Sequence, residues 1–396
     1  MQIFTNDDFQ FIFDNINADT HQLLLQNALK DAHKTKNIVL QIQARQKAKL
    51  KIPTWEACKT LIFDSSLSLE QSSSELTAIY KSHLIPPNSN QMADLTGGMG
   101  VDIAFMSQKM QKAYHIERNK SLSQTTAYNF KQLEINNVEF LNTEASQFLE
   151  NHNASLDLVY LDPARRDNSG DKVVSLASCE PNILHIKDTI FGKTNRILLK
   201  TSPMLDIDTA INQLQNVKKI HILAVENEVK ELIFDLEKDY NQACEYQAVN
   251  LLKNKPSQYF SGNKQDETNA KADFSAPLNY LYEPNASVLK AGFFKLFAQK
   301  NDLKKISSNS HLYTSDHYDD NVQARIFTIV AVCKLDKKQI QAHCPEGKAN
   351  ISTRNFPLKP DQIRKKIELK DGGDIYLFAT TDQQNNKIVL VCKKKY

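Results

Sequence analysis

The chain lacks any long hydrophobic run. Its most apolar stretch, Ile326 to Cys333, is eight residues, well short of the roughly 20 that a spanning helix needs. A membrane-spanning helix is therefore excluded on length. The opening residues MQIFTNDDF carry no basic segment followed by an apolar one, so export is not expected and the expected compartment is the cytoplasm. Cysteine pairs are missing too. The six cysteines, at 58, 179, 244, 333, 344 and 392, include no C-x-x-C spacing, which argues against both a disulfide framework and a zinc site. They are expected as free thiols, mostly buried. His311, His317 and His343-Cys344 fit no ligand spacing either, so no metal is expected. One further absence concerns charge of a single sign: Lys34 to Lys51 holds six Lys or Arg and no Asp or Glu.

Length and composition point to a modular globular protein. With 396 residues, 41% hydrophobic and 24% charged, the chain can form two or three domains with ordinary cores. The net charge of +3 hides its distribution, because Arg325 to Tyr396 holds fifteen basic residues against seven acidic ones. Both basic segments could face a phosphate backbone, although a solvated lysine face is the plainer alternative.

The most informative stretch is Met92 to Glu117, MADLTGGMGVDIAFMSQKMQKAYHIE. A short apolar strand ends in Asp94, a glycine turn opens a helix, and a second strand closes on Glu117. Glycines at 98 and 100 allow backbone to pass close to a ligand, and a carboxylate at 117 can grip ribose hydroxyls. The dinucleotide fingerprint G-x-G-x-x-G would put glycine or alanine at 103, where this chain has Ile103. The cofactor inferred is S-adenosylmethionine. Downstream, LDLVYLDPAR (156–165) is an apolar strand ending in Asp162-Pro163, and ligands in doubly wound folds sit at the carboxyl ends of strands. The order acid, glycines, acid, Asp-Pro resembles a class I methyltransferase, with Thr96 in place of the usual first glycine.

Organisation along the chain agrees with an α/β fold. Residues 1–90 are expected to be helical: His21 to Lys36 and Asn37 to Leu50 have helical spacing, Pro53 stops the second, and Ser68-x-x-Gln71 is a capping box for a helix to about His83. From 92 to 252 strands and helices alternate, with a helix expected over 228–237, implying a mostly parallel, Rossmann-like sheet. The polar stretch Lys253 to Ala276 is expected to be a hairpin loop or linker. Beyond it come a helical pattern over Asn285–Gln299 interrupted by Gly292, a strand over Arg325–Lys334, and an α+β tail over 349–396. The expected division is a helical region 1–90, a catalytic domain 91–262, a small segment 277–324 and a tail domain 325–396.

On LSLEQSSSELTAIYK (67–81), DLTGGMGVD (94–102), LDPARR (161–166), LKTSPMLDI (199–207), ENEVKEL (226–232) and YLYEPNASVLKAGFF (280–294), the chain resembles bacterial class I methyltransferases that end in a THUMP-like domain. That resemblance implies a ferredoxin-like segment before the tail, and a tail that binds structured RNA, usually tRNA.

Candidate site residues follow from the motifs. Asp94, Thr96, Gly98, Gly100 and Glu117 are expected to hold the cofactor, and Glu144, after the third strand, to meet adenine. Asp162, Pro163 and Arg165 are the catalytic candidates. Amino-methyltransferases carry [DNS]-P-P-[YF] at this place; here Ala164 and Arg165 replace the second proline and the aromatic, so stacking would fall to the arginine plane. Cys179 is the one cysteine near enough in sequence to serve C5 methylation of a pyrimidine, and a buried structural thiol is its plainer role. Lys200-Thr201-Ser202-Pro203, after the fifth strand, also points to the active face, with a turn alone as the alternative role. The expected function is methylation of a base in tRNA or rRNA. Methylation of a protein or small molecule, and RNA binding without turnover, are the alternatives.

Overall fold

A computed structural model describes residues 4–25, 31–64, 66–165 and 175–395. It divides into two compact units, Met1–Ile220 with Glu231–Gln242, and His221–Lys230 with Ala243–Tyr396. No described helix is long and apolar enough to cross a membrane.

The first unit is built on strands β1 (Gln91–Asp94), β2 (Lys112–Ile116), β3 (Val138–Leu141) and β4 (Leu158–Leu161), a two-residue ladder of β5 (Ala164–Arg165) and β6 (Cys179–Glu180), then β7 (Arg196–Thr201) and most of β9 (Glu228–Glu237); β8 (Val217–Val225), like β9, has residues in each unit. Within this unit the sheet runs β9-β7-β4-β1-β2-β3. All neighbours are parallel except β7 and β9. β1 lies between β2 and β4, so the chain order reverses there, and the crevice beyond the ends of β1 and β4 is the favoured ligand position.

The expected helix over 228–237 is instead strand β9. Its apolar residues Val229, Leu232, Ile233 and Leu236 have helical spacing, but Glu231 to Leu236 are all buried, as in a strand covered on both faces, which has no period to read. Glu226 and Asn227, with φ of 49° and 68°, form the two-residue turn that joins β8 to β9.

The N-terminal helices differ from expectation in two places. A helix covers Thr20–Leu25 and another Ala32–Lys51, the latter capped by Asp31; residues 26–30 lie outside the described residues. The capping box at Ser68 is not formed. Helix Ser66–Gln71 stops, and Ser74 caps a separate helix, Glu75–Ser82. The basic run of 34–51 is largely tied into the fold. Arg45 is fully buried, donates to the carbonyls of Glu56, Cys58, Lys59 and Leu61, and lies over the ring of Phe13. Burial lowers its pKa to about 10. Lys34 pairs with Asp8 at 2.7 Å, Lys47 with Glu70, and Lys51 donates to the Leu69 and Glu70 carbonyls.

In the second unit, strand Glu245–Leu251 pairs antiparallel with Gln258–Gly262, followed by helix Lys264–Asn269 with an Asn263–Asp266 capping box. The polar stretch expected as a loop or linker thus holds a strand and a helix. A seven-stranded sheet follows, in the order 304–305, 313–315, 280–284, 324–333, 387–394, 375–381, 350–354. Gly292, at φ 75°, ends helix Ala286–Ala291. One face of the tail strands packs Leu377, Ala379, Val389 and Val391 against Ile340, Ile363 and Ile367 of two helices. The other packs Phe378, Leu390 and Cys392 against Leu281, Ile306, Leu312 and Phe327. Arg325 and Arg354 both pair with the buried carboxylate of Glu283.

Candidate functional site

The glycine turn is fixed from three sides. Gly98 has φ 53° and its N–H donates to Glu117 Oε2 at 2.9 Å, while its carbonyl accepts from Thr126 Oγ1 at 3.0 Å and lies 3.2 Å from His115 Nε2. A carbonyl can only accept, so His115 carries its proton on Nε2. Gly100, at φ 76°, opens helix Val101–Met106, and a Cβ there would sit 2.7 Å from Thr126 Cγ2. The glycine missed by sequence reasoning is Gly97, where a Cβ would fall 2.4 Å from the His115 ring. The adjacent Gly97-Gly98 pair is the signal that could have pointed to it.

His115 is fully buried, and burial lowers its pKa to about 4. A histidine neutral in the fold takes up a proton on unfolding below its ordinary value of 6.5. Its contribution to stability is therefore complete above pH 6.5 and lost as pH falls toward 4, a difference on the order of 3 kcal/mol. Between about pH 7 and pH 4.5 the buried Asp94, with its raised pKa, works in the opposite direction, so the His115 effect is read as a difference: in urea unfolding the wild type should lose roughly 2–3 kcal/mol more, or gain that much less, than His115→Gln. An equal change in both would assign the acid sensitivity elsewhere.

Asp94 ends β1, buried, with Oδ1 accepting from Thr96 N–H at 3.0 Å and Oγ1 at 3.3 Å. Burial pushes its pKa up to about 8, Asp102 and Asp162 add to the rise, and the Thr96 hydrogen bonds oppose it. Thr96 Oγ1 accepts from the Asp162 N–H at 2.6 Å, so the residue in place of the first glycine joins the turn after β1 to the loop after β4. Glu117, at the end of β2, accepts from Gly98 N–H and, through Oε1, from Asn119 N–H at 2.7 Å. Each oxygen keeps a lone pair for a ligand. Glu144 is exposed at the start of helix Ala145–Asn151, with no capping bond from its side chain.

Around Asp162 the structure gathers residues that the sequence reading left apart. Lys200, near the end of β7, places Nζ 2.5 Å from Asp162 Oδ2, 3.9 Å from Glu231 Oε2 and 4.0 Å from Asp102 Oδ2. Deeper in, Lys81 Nζ lies 2.7 Å from Glu231 Oε1, 2.8 Å from Asp102 Oδ1 and 2.7 Å from Ser73 Oγ. Ser73 and Tyr160 hydroxyls both donate to Asp102 Oδ2, at 2.8 and 2.6 Å. Against the upward push of burial, the two ammonium groups hold the Asp102 pKa at about 2. For Lys200 burial pulls downward, and the carboxylates of Asp162, Asp102 and Glu231 prevail, raising its pKa. Lys81, Asp102 and Glu231 were not singled out from the sequence; a lone charge inside an otherwise apolar strand or helix face was the available signal.

Pro163 is buried and Ala164 exposed. Ala164 and Arg165 pair through backbone with Glu180 and Cys179. The Arg165 side chain, Arg166 and residues up to 174 lie outside the described residues. The structure thus brings Cys179 next to the Asp-Pro segment, where its buried thiol donates to the Ser175 carbonyl at 3.5 Å. None of the six cysteines is in a disulfide. Among the described residues no group of three or more His, Cys, Asp or Glu could hold a metal ion.

Comparison with known proteins gives three family matches. Residues 78–227 match the family described as Conserved hypothetical protein 95, residues 280–322 a ferredoxin-like domain, and residues 324–394 the family described as THUMP domain-like. No curated protein matches. Among solved structures, an inferred methyltransferase from Porphyromonas gingivalis W83 is 29% identical, covers 100% of both chains and superposes with a TM-score of 0.87. An rRNA methylase from Streptococcus thermophilus is 14% identical over 41% of this chain and 94% of its own, with a TM-score of 0.31. M. capricolum TrmK, in complex with S-adenosyl-homocysteine, is 13% identical over 46% of this chain and 71% of its own, with a TM-score of 0.32.

Proposed function

We propose that this chain, a methyltransferase of the class I fold with ferredoxin-like and THUMP-like domains at its C-terminal end, uses S-adenosylmethionine to methylate a base in structured RNA, tRNA or rRNA. The observation that carries the proposal is the meeting of two loops at the strand-order reversal. There the glycine turn after β1 and the Asp162-Pro163 loop after β4 are joined through Thr96. The residues fit the cofactor: a positive-φ turn without side chains at Gly98 and Gly100, a carboxylate at Glu117 with lone pairs to spare, and the buried acid Asp94. In this reading Asp94, Thr96, Gly98, Gly100, Glu117 and Glu144 hold the cofactor, and Asp162, Pro163 and Arg165 face the acceptor. The functional segments are 1–90, 91–262, 277–324 and 325–396, and the setting is cytoplasmic.

When bound, S-adenosylmethionine supplies a methyl group already activated by its sulfonium, so the protein's task is mainly positioning. Asp162 Oδ2 is held by Lys200, and Oδ1 has no hydrogen-bond partner among the described residues. That oxygen can accept a hydrogen bond from the acceptor group, next to the buried Pro163. For the cofactor half, Glu117→Ala should weaken S-adenosylhomocysteine binding by about 1.5–3 kcal/mol, the range for hydrogen bonds to a charged group. Calorimetry showing unchanged affinity would remove Glu117 from the site.

RNA as the partner is supported by the THUMP domain-like match and by the basic tail. With most of the 34–51 charges tied internally, and Arg364 paired with Asp361 and Asp371, exposed candidates in the tail include Lys365, Lys366, Lys393 and Lys394. Replacing these four by neutral residues and titrating tRNA at several salt concentrations should weaken binding. Each lost phosphate contact should make the salt slope shallower by about one unit or less. Unchanged affinity and slope would leave these lysines as a solubilising surface and favour a protein or small-molecule acceptor.

A further inference from the structure

Three separated stretches, around Ser73–Lys81, Lys200 and Glu231, converge on a single row of charges in the first unit. Lys81 lies at its inner end, fully buried. Asp102 and Glu231 follow, then Lys200, and the row ends at Asp162, whose side chain is 35% exposed while those of the other four are at most 10% exposed. The four inner members balance as two ammonium groups against two carboxylates. Negative charge therefore surfaces at one place, the carboxylate beside the proposed reacting centre, with the Lys200 ammonium against its inner oxygen.

We infer that Lys200 is a positioning residue for methyl transfer: it orients the Asp162 carboxylate and offsets its charge, so that the site does not hold the sulfonium cofactor far more tightly than its neutral product. The physical reason is differential binding. The cofactor and S-adenosylhomocysteine differ by one methyl group and one positive charge. An uncompensated carboxylate beside the sulfur would stabilise the charged ground state, from which positive charge departs as the methyl moves to the acceptor. That would raise the barrier. A partly neutralised carboxylate keeps its hydrogen-bonding capacity for the acceptor without that penalty. The inference rests on the proposed placement of the methyl group next to Asp162.

The test needs no acceptor. Affinities for S-adenosylmethionine and S-adenosylhomocysteine are measured by calorimetry on the full chain, and their ratio reports the charge facing the sulfur. Lys200→Met exposes the sulfur to two uncompensated negative charges, and the ratio should rise by roughly ten-fold in favour of S-adenosylmethionine. Asp162→Asn should lower it several-fold. Lys200→Arg, which keeps the charge, should stay near the wild type, and the Asp162→Asn, Lys200→Met double variant, again with one net negative charge in the row, should return toward the wild-type ratio. If Lys200→Met does not fold, the double variant against Asp162→Asn decides, since removal of Lys200 from that background must raise the ratio. Parallel changes in both affinities on removing Lys200, with the ratio altered by Asp162→Asn, would make Lys200 a structural residue only and overturn the inference. A ratio unmoved by Asp162→Asn would instead mean that the carboxylate does not face the sulfur, and it is the placement of the site that would fall.

Discussion

Asp162→Ala should lower methyl transfer to RNA isolated from cells lacking the protein by about 10²–10³-fold, the usual loss when one polar group aimed at a reacting centre is removed. S-adenosylhomocysteine affinity should stay within a few-fold. The fold should tolerate the change, because Lys81 and Lys200 would still face Asp102 and Glu231, two charges of each sign. Radiolabel transfer with calorimetry on the same preparation separates the possibilities. Parallel loss of activity and cofactor binding would make Asp162 a cofactor ligand, and the division of roles between the β1 and β4 loops would be wrong.

Lys81→Met should be the most damaging single change to stability. It removes the inner ammonium and leaves Asp102 and Glu231 with only Lys200, whose Nζ is 4.0 and 3.9 Å away and already engaged by Asp162. Breaking a buried pair in this way costs about 3–5 kcal/mol, equivalent to a fall in Tm on the order of 10 °C for a unit of this size. Adding Glu231→Met should recover part of the loss, since removing both partners is far cheaper than stranding one. A loss under about 1 kcal/mol in Lys81→Met, measured by urea unfolding, would show that the charge row adds nothing to stability.

The parallel core of the first unit was legible because its strands announce themselves as short apolar runs ending in an acid or Asp-Pro, and its glycine turn has few other uses. The tail was equally readable: strand, basic helix and two strands joined by a polar turn stand at 350–354, 360–367, 375–381 and 387–394. Strand β9 was not, because a strand buried on both faces has no alternation to detect and its turn lacks the usual Asn-Gly or Asp-Gly pair. Its two buried acids would also have argued for solvent, yet Glu231 meets Lys81 and Asp235 meets Arg196 at 2.8 and 2.6 Å. The same limit governs the basic segment 34–51. A count of charges records sign, whereas the carbonyls that receive Arg45 lie eleven to sixteen residues further on and become neighbours only on folding. Of the site, the sequence supplied the ends of the strands, Lys200 among them, but not what stands behind them: His115 under the turn, and Lys81, Asp102 and Glu231 behind Lys200.

The row of charges also bears on how this chain could have been assembled. A Pro-Pro pair at 86–87 looks like a seam, and strand β1 begins just after it. Yet the helix before the seam lends a positive charge to the sheet after it, through Lys81. A catalytic segment transplanted without residues 73–82 would arrive with two interior carboxylates, Asp102 and Glu231, sharing the single ammonium of Lys200 with Asp162. The N-terminal helices are therefore not an attachment that descent could add or discard freely. Gene fusions and truncations that survive in relatives should keep the pair together, or lose Lys81, Asp102 and Glu231 at one stroke.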